Sequence, residues 1–263
     1  MKTRRWITLA PAVFALVASA STLASARAHE TVNQVYDTSD HPRLSLRNIN
    51  GDATIEGWDK NRIEVTAVKS ASSQDRLDDL DVKFDMDHDY LRIGVDIDSD
   101  HHWSHHEEGP NVEFTIHVPR GTRISGMSLV NGDVEITNVT GDVEASSVNG
   151  TVSGEKLGGD INLSTVNGRV ELVATADAGA IRLHSVNGDV MLTLPKKFDA
   201  RIEAGTLHGN ITAVEGMDVE ATSFTGSSMH GTIGKGGMKV DLNTVNGSIR
   251  IQREGDSGTK NRE

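Results

Sequence analysis

The chain has 263 residues, a formal net charge of −12, 26 glycines, no cysteine and 4% aromatic residues. An acidic surface repels nucleic-acid phosphates and anionic lipid, so neither is an expected partner. The missing cysteines exclude disulfides, thiolate metal sites and a lipidated N-terminal cysteine, and the scarcity of aromatics points to a slim core of Val, Ile, Leu and Ala.

The N-terminus opens with Lys2, Arg4 and Arg5, followed by the apolar run "WITLAPAVFALVASA". Small residues at Ala24 and Ala26, or at Ala26 and Ala28, suit a signal peptidase. Residues 1–26 are therefore expected to be a signal peptide, with cleavage after Ala26 or Ala28. No other apolar run reaches membrane-spanning length, so the mature chain is expected to carry no transmembrane span.

Residues 30–120 read as strands and hairpins that form an N-terminal β cap. "RLSLRNINGDATIEGWD" (Arg43–Asp59) and "RIEVTAVKS" (Arg62–Ser70) alternate apolar and polar residues, the signature of a half-buried strand. "SSQDRLDDL" (Ser72–Leu80) opens polar and places Leu77 and Leu80 three apart, which predicts a short helical turn. "DVKFDMD", "YLRIGVDID" and "NVEFTIHVP" predict three further strands.

Between the last two lies "DIDSDHHWSHHEEG" (Asp96–Gly109). His101 and His105, and His102 and His106, stand four apart, so a helical turn would present paired imidazoles to one Zn²⁺, Ni²⁺ or Cu²⁺. Asp96, Asp98, Asp100 and Glu107 occupy positions 1, 3, 5 and 12 of a calcium-loop spacing, although His101 stands where that loop needs glycine. A solvated polar loop and a pH-responsive histidine cluster are the other readings. A transition metal or calcium here is the one cofactor the sequence suggests.

From residue 121 to 252 the chain repeats. Val-Asn-Gly recurs with Asn131, Asn149, Asn167, Asn187 and Asn246, and the variants Leu207-His208-Gly209 and Met229-His230-Gly231 fill the gap. Val139-Thr140-Gly141 and Leu157-Gly158-Gly159 lie midway between early repeats, so a unit of about nine residues doubles into one larger period. Each unit alternates apolar residues, as in Val143 and Ala145 or Ile161 and Leu163, and ends in a Gly turn. A meander of hairpins is the rival architecture. The fixed phase of the glycines instead predicts an all-β parallel β-solenoid, right-handed by the usual chirality of parallel crossovers. Asn131, Asn149, Asn167, Asn187, His208, His230 and Asn246 are then expected to form a corner ladder. Asp52, Asp133, Asp142, Asp160 and Asp189 each follow Gly and read as solvent-facing strand starts, with a calcium column as the alternative. Residues 253–263 are polar and expected to be a disordered tail.

The stretch "VEFTIHVPRGTRISGMSLVNGDVEITNVTGDVEASSVNGTV", with its strand ending in Val-Pro and its Gly-Asp-Val phrases, resembles the bacterial putative-adhesin family of exported β-repeat proteins. The likeness runs from Arg43 to Ile251. It implies an all-β repeat fold and an envelope location, and it supplies no catalytic residue.

The chain lacks a His-Glu-x-x-His, a Gly-x-Ser-x-Gly and a phosphate-binding Gly loop. The expected function is therefore a non-enzymatic exported scaffold or adhesin-like binding protein, whose partner is an envelope or extracellular protein or a glycan. The alternatives are a periplasmic metal-binding or metal-sensing protein using the His-rich segment, and a carbohydrate-active β-helix enzyme.

Overall fold

A computed structural model describes residues 27–97, 109–213, 218–222 and 226–255. In chain order the elements are β1 (Ala28–Asp37), β2 (Arg43–Asn50), β3 (Ala53–Trp58), β4 (Arg62–Ala71), α1 (Gln74–Asp78), β5 (Leu80–Asp87), β6 (Tyr90–Ile97) and β7 (Asn111–Pro119). There follow β8 (Arg123–Asn131), β9 (Val134–Thr137), β10 (Val143–Asn149), β11 (Val152–Asn167), β12 (Val170–Asn187) and β13 (Val190–Leu194). The chain continues through β14 (Ala200–His208), β15 (Ile211–Thr212), β16 (Asp218–Thr222), β17 (Ser227–Ile233), β18 (Met238–Asn246) and β19 (Ile249–Arg253). No helix among the described residues is long and apolar enough to cross a membrane.

All the strands join one hydrogen-bonded sheet. It folds back on itself at the Asn-Gly corners and again within β11 and β12, where glycines and alanines let the long strands bend. One face runs β5–β6–β2–β8–β10, then the second halves of β11 and β12, then β18–β14–β17–β16. The other runs β1–β4–β7–β3–β9, then the first halves of β11 and β12, then β13–β19–β15. From β2 to β14 on the first face, and from β7 to β15 on the second, every pairing is parallel. Equivalent residues of successive coils therefore align: Val143 with Ile161, Ile161 with Ile181, and Ile181 with Val240. The pairings are those of a solenoid, and the meander is excluded for this stretch.

The alternation fills one continuous core. Val152, Ile161, Leu163, Val170, Ile181, Leu183, Val190, Leu192, Val240 and Leu242 are fully buried. Each stabilises the fold by about 1.5–3 kcal/mol relative to exposure. Phe114, on β7, is the largest fully buried side chain among the described residues and packs near the N-terminal end.

Antiparallel strands close both faces at the N-terminal end and the first face at the other, where the second face ends on the two-residue β15; an open parallel edge would template aggregation. At the N-terminal end β1 covers β4, and Lys69, almost buried, reaches Glu30 across that pair at 2.5 Å. The helical turn predicted from Ser72 to Leu80 is α1, N-capped by Ser73, with Leu77 buried. At the other end β17 and β16 lie antiparallel on β14.

The stacking order departs from the sequence order. The expected succession of coils would set β14 directly on β12. Instead β18 pairs with both, so the last coil is inserted between two earlier ones. The reason lies in two crossing connections. The segment from Pro195 to Asp199 climbs one layer, and the turn Gly234–Gly237 carries the chain from one side of β14 back to the other. Backbone N–H groups of Lys235 and Met238 both donate to Asp199, to its carboxylate at 3.0 Å and its carbonyl at 3.1 Å. Gly234 and Gly236 have φ of 61° and 68°. A Cβ on Gly234 would fall 1.7 Å from the Asp199 carboxylate, so this turn requires glycine.

A candidate interaction surface on the Asn-Gly corner

The corner is built from three residue types in a fixed order. Two positions before Asn149, Asn167, Asn187, Asn246 and His208 stands a buried hydroxyl that donates to a glycine carbonyl in the neighbouring coil, whereas Leu129 holds this position before Asn131. Ser147 donates to Gly132 at 2.8 Å, Thr165 to Gly150 at 2.9 Å, Ser185 to Gly168 at 3.0 Å, Thr244 to Gly188 at 2.8 Å and Thr206 to Gly247 at 2.8 Å. Asn48 plays this part in the first coil and donates to Val112, Asn50 and Gly51 carbonyls. The hydroxyl is visible in the phrases "SSVNG", "STVNG", "HSVNG", "GTLHG" and "NTVNG", but hydropathy patterning assigns it no role.

The asparagines themselves form a one-way chain of side-chain hydrogen bonds. Asn131 Nδ2 donates to Asn50 Oδ1, Asn149 to Asn131, Asn167 to Asn149 and Asn187 to Asn167, each at 2.8 Å, and Asn246 donates to Asn187 at 2.7 Å. Asn50 ends the series by donating to the Pro110 carbonyl. His208 stands in register with Asn246 and continues the column. Two differences from the sequence reading follow. Asn50, in the segment read as a cap, belongs to the column. His230 does not: it lies in β17, opposite Glu203. The Met229-His230-Gly231 phrase carries the local signature, with Ser228 two residues ahead of His230. The crossover that follows it nevertheless makes β17 antiparallel, so no corner forms.

The residue between the buried hydroxyl and the Asn points outward. Val130, Val148, Val166, Val186 and Val245 are each 39–40% exposed, Ile49 is 43% and Leu207 49%. These seven account for all but two of the exposed large apolar residues among those described, so they form a feature and not a scatter. In stacking order they run Ile49, Val130, Val148, Val166, Val186, Val245, Leu207, a straight ridge about 29 Å long at ~4.8 Å per coil. Val139, which the repeat aligns with Val148 and Val166, sits at the other corner and is fully buried. Inside the ridge Ser128, Ser146 and Ser164 align on one face. Outside it each Asn amide keeps a second N–H and a lone pair for water or a ligand. The surface is thus a narrow aliphatic strip edged by regularly spaced amides and hydroxyls.

The post-glycine aspartates are engaged by the backbone. Asp52 Oδ1 accepts from the Asp133 N–H at 2.8 Å, Asp133 from Thr151 at 2.6 Å, and Asp189 from Ser248 at 2.8 Å. At the other corner Asp142 accepts from Asp160 at 3.1 Å and Asp160 from Ala180 at 2.9 Å. Each carboxylate therefore caps the next coil. Among the described residues no three His, Asp or Glu side chains come together as a metal site.

Of the His-rich segment, Asp96 lies at the end of β6 and pairs with Lys83 at 2.5 Å, which holds the Lys83 ammonium above its usual range. Asp98, Asp100, His101, His102, His105, His106 and Glu107 lie outside the described residues.

One further cluster stands apart from the corner. Trp58 stacks on His117 with ring centroids 5.0 Å apart, and the Lys60 ammonium lies over the indole at 4.2 Å.

The family model Toastrack DUF4097 matches residues 43–252. A solved structure described as a putative cell adhesion protein from Clostridium sporogenes ATCC 15579 is 13% identical. It covers 87% of this chain and 100% of its own, with a TM-score of 0.50. That likeness is one of fold. A putative adhesin from Bacteroides fragilis NCTC 9343 is 12% identical over 86% of this chain and 97% of its own, at a TM-score of 0.38. No curated protein matches the chain.

Proposed function

This chain belongs to the Toastrack DUF4097 family, and from that premise we propose that it is a non-enzymatic, adhesin-like binding scaffold of the bacterial cell envelope. The observation that carries the reading is the exposed ridge from Ile49 to Leu207 beside the Asn column. A monomeric soluble protein rarely lines up its exposed aliphatic residues. Here the repeat forces them into line and the hydrogen-bonded corner holds them rigid, so little conformational entropy is lost when a partner docks. The partner is an envelope or extracellular protein or a glycan, recognised by shape over the strip and by the remaining hydrogen-bonding capacity of the amides along it. The basic, apolar N-terminus supports export, with residues 1–26 removed as a leader. The parallel coils wind right-handedly, in keeping with parallel crossovers generally.

The test is binding of purified chain to envelope fractions and to immobilised glycans, compared with a V148K/V166K/V186K variant. Three lysines in the middle of the strip interrupt its apolar surface without entering the core. Loss of binding in the variant supports the strip as the contact. Equal binding by both proteins removes it.

A further inference from the structure

The second corner of the solenoid is tight in the early coils, where Gly141, Gly159 and Gly179 stack so closely that a Cβ on Gly159 or Gly179 would meet the neighbouring coil within 3.0 Å. It opens where the stacking order breaks. The segment from Pro195 to Asp199 climbs one strand spacing, ~4.8 Å, where β11 and β12 pass between the faces within one layer, and so leaves room for the inserted coil. The returning turn Gly234–Gly237 passes beside it. Between them lies a cleft of about 650 Å³, within the range of small-molecule sites. Its floor is apolar, formed by Phe198, Ile233 and Met238, of which Phe198 and Ile233 are buried. Its rim carries Lys196, Lys197 and Arg253.

Charge makes this cleft unlike the rest of the molecule. The chain as a whole is acidic, at −12, yet the rim holds three cations and none of them has an ion-pair partner among the described residues. The one acid lining it, Asp199, is already engaged, accepting from the Lys235 N–H to hold the turn. Three ammonium or guanidinium groups over an apolar floor match a phosphate or carboxylate carried on a hydrocarbon chain. The cations meet the anionic head as point charges or bidentate donors, and the floor takes the first carbons.

We propose that this cleft binds the anionic end of an amphiphile. The site stands apart from the Asn-Gly strip, so it can fail while the scaffold reading survives, and the reverse.

The experiment is calorimetric titration of the purified chain with dihexanoyl phosphatidic acid, inorganic phosphate and dihexanoyl phosphatidylcholine. The expected order is phosphatidic acid tightest, inorganic phosphate weaker and phosphatidylcholine weakest, with affinity falling as salt is raised. Lys196 and Lys197 are exposed, so K196Q/K197Q keeps the fold, checked by its melting curve. The variant is expected to bind phosphatidic acid about tenfold more weakly or worse. R253Q tests the opposite rim independently and is expected to weaken it too. Sedimentation with vesicles of phosphatidylcholine containing phosphatidylglycerol separates the two sources of such a head. Retention that K196Q/K197Q abolishes supports the site with a membrane headgroup as ligand; binding of the short-chain lipid without retention supports it with a free amphiphile. The proposal is overturned if phosphatidic acid does not bind, if inorganic phosphate binds as tightly as phosphatidic acid, or if the lysine variant binds like the parent.

Discussion

Substituting Gly168 by alanine probes a close backbone contact between coils. A Cβ at this position would lie 2.1 Å from the Gly150 carbonyl oxygen and 2.6 Å from its carbon. The obstacle is backbone, not the end of a flexible side chain, so the two coils must part at this corner. The same Gly150 oxygen accepts the buried Thr165 hydroxyl at 2.9 Å, and the flanking Gly150 N–H donates to the Asn167 carbonyl at 3.0 Å. Overpacking of a filled site costs about 1–3 kcal/mol. Losing the Thr165 bond adds about 0.5–1.5 kcal/mol. The expected destabilisation is therefore about 1.5–4.5 kcal/mol, which for a chain of this size lowers the melting temperature by about 3–18 °C. Gly94 is the control, since a Cβ there meets nothing within 4 Å. G94A should match the parent or gain up to about 1 kcal/mol from a less flexible unfolded chain. Thermal denaturation followed by circular dichroism reads both variants. If G168A melts with G94A, the close stacking of the glycine corners is refuted.

Thr165→Val removes the hydroxyl but keeps the shape, and leaves the Gly150 carbonyl without that donor. A loss of about 1–2 kcal/mol is expected by chemical denaturation, with Thr165→Ser close to the parent. Asn167→Ala breaks two links of the ladder, to Asn149 and Asn187, whereas His208→Ala breaks none that the ladder depends on. The first should destabilise by about 1–2 kcal/mol and the second by less than about 0.5 kcal/mol. The V148K/V166K/V186K variant should unfold within about 1 kcal/mol of the parent, because all three side chains are surface residues. A larger loss would place them in the core. The hydrogen bond from Arg120 at 2.6 Å, helped by its charge, holds the Asp59 carboxyl below its usual range. A carboxyl depressed in the folded state contributes stability above its unfolded pKa, and that contribution fades as pH falls through the folded value. In R120Q the Asp59 carboxyl should titrate at higher pH by NMR, nearer its ordinary value, and no movement would rule out the pairing. Mass spectrometry of exported protein should find Arg27 or His29 as the first residue, and an intact leader on exported chain would contradict cleavage.

Much of the architecture was legible because one repeat reports on several layers at once. The spacing of Asn131, Asn149 and Asn167 fixes the coil length, and the alternation of Ile161 with Leu163 fixes which side of a strand faces in. Three things were not legible. The insertion of β18 between β12 and β14 depends on the crossings at Asp199 and Gly234, and nothing local distinguishes a connection that stays in its layer from one that climbs to the next. The fate of His230 was hidden for the same reason, since its phrase carries the corner signature and only the later reversal denies it a corner. The exposed ridge escaped because Val148 and Val166 share a phase with Val139, which is buried. Hydrophobicity alone does not say on which side of a turn a valine falls. The buried hydroxyl two residues before Asn149, Asn167, Asn187 and Asn246 was in plain view as Ser147, Thr165, Ser185 and Thr244. Its role emerges only once the neighbouring coil supplies a carbonyl.

The central claim is that the chain winds into parallel coils whose corner column runs Asn167, Asn187, Asn246, His208, with the last coil inserted out of sequence order. The absence of cysteine makes a direct test possible. Neighbouring parallel strands stand ~4.8 Å apart, within the Cα separation a disulfide tolerates, whereas positions two coils apart are ~9.6 Å apart and beyond it. Oxidation of N187C/N246C should give an intramolecular disulfide in the folded protein, and N187C/H208C should stay reduced. A disulfide in the second pair and none in the first would show that the coils follow one another in sequence order, and would contradict both the column and the cleft at its break.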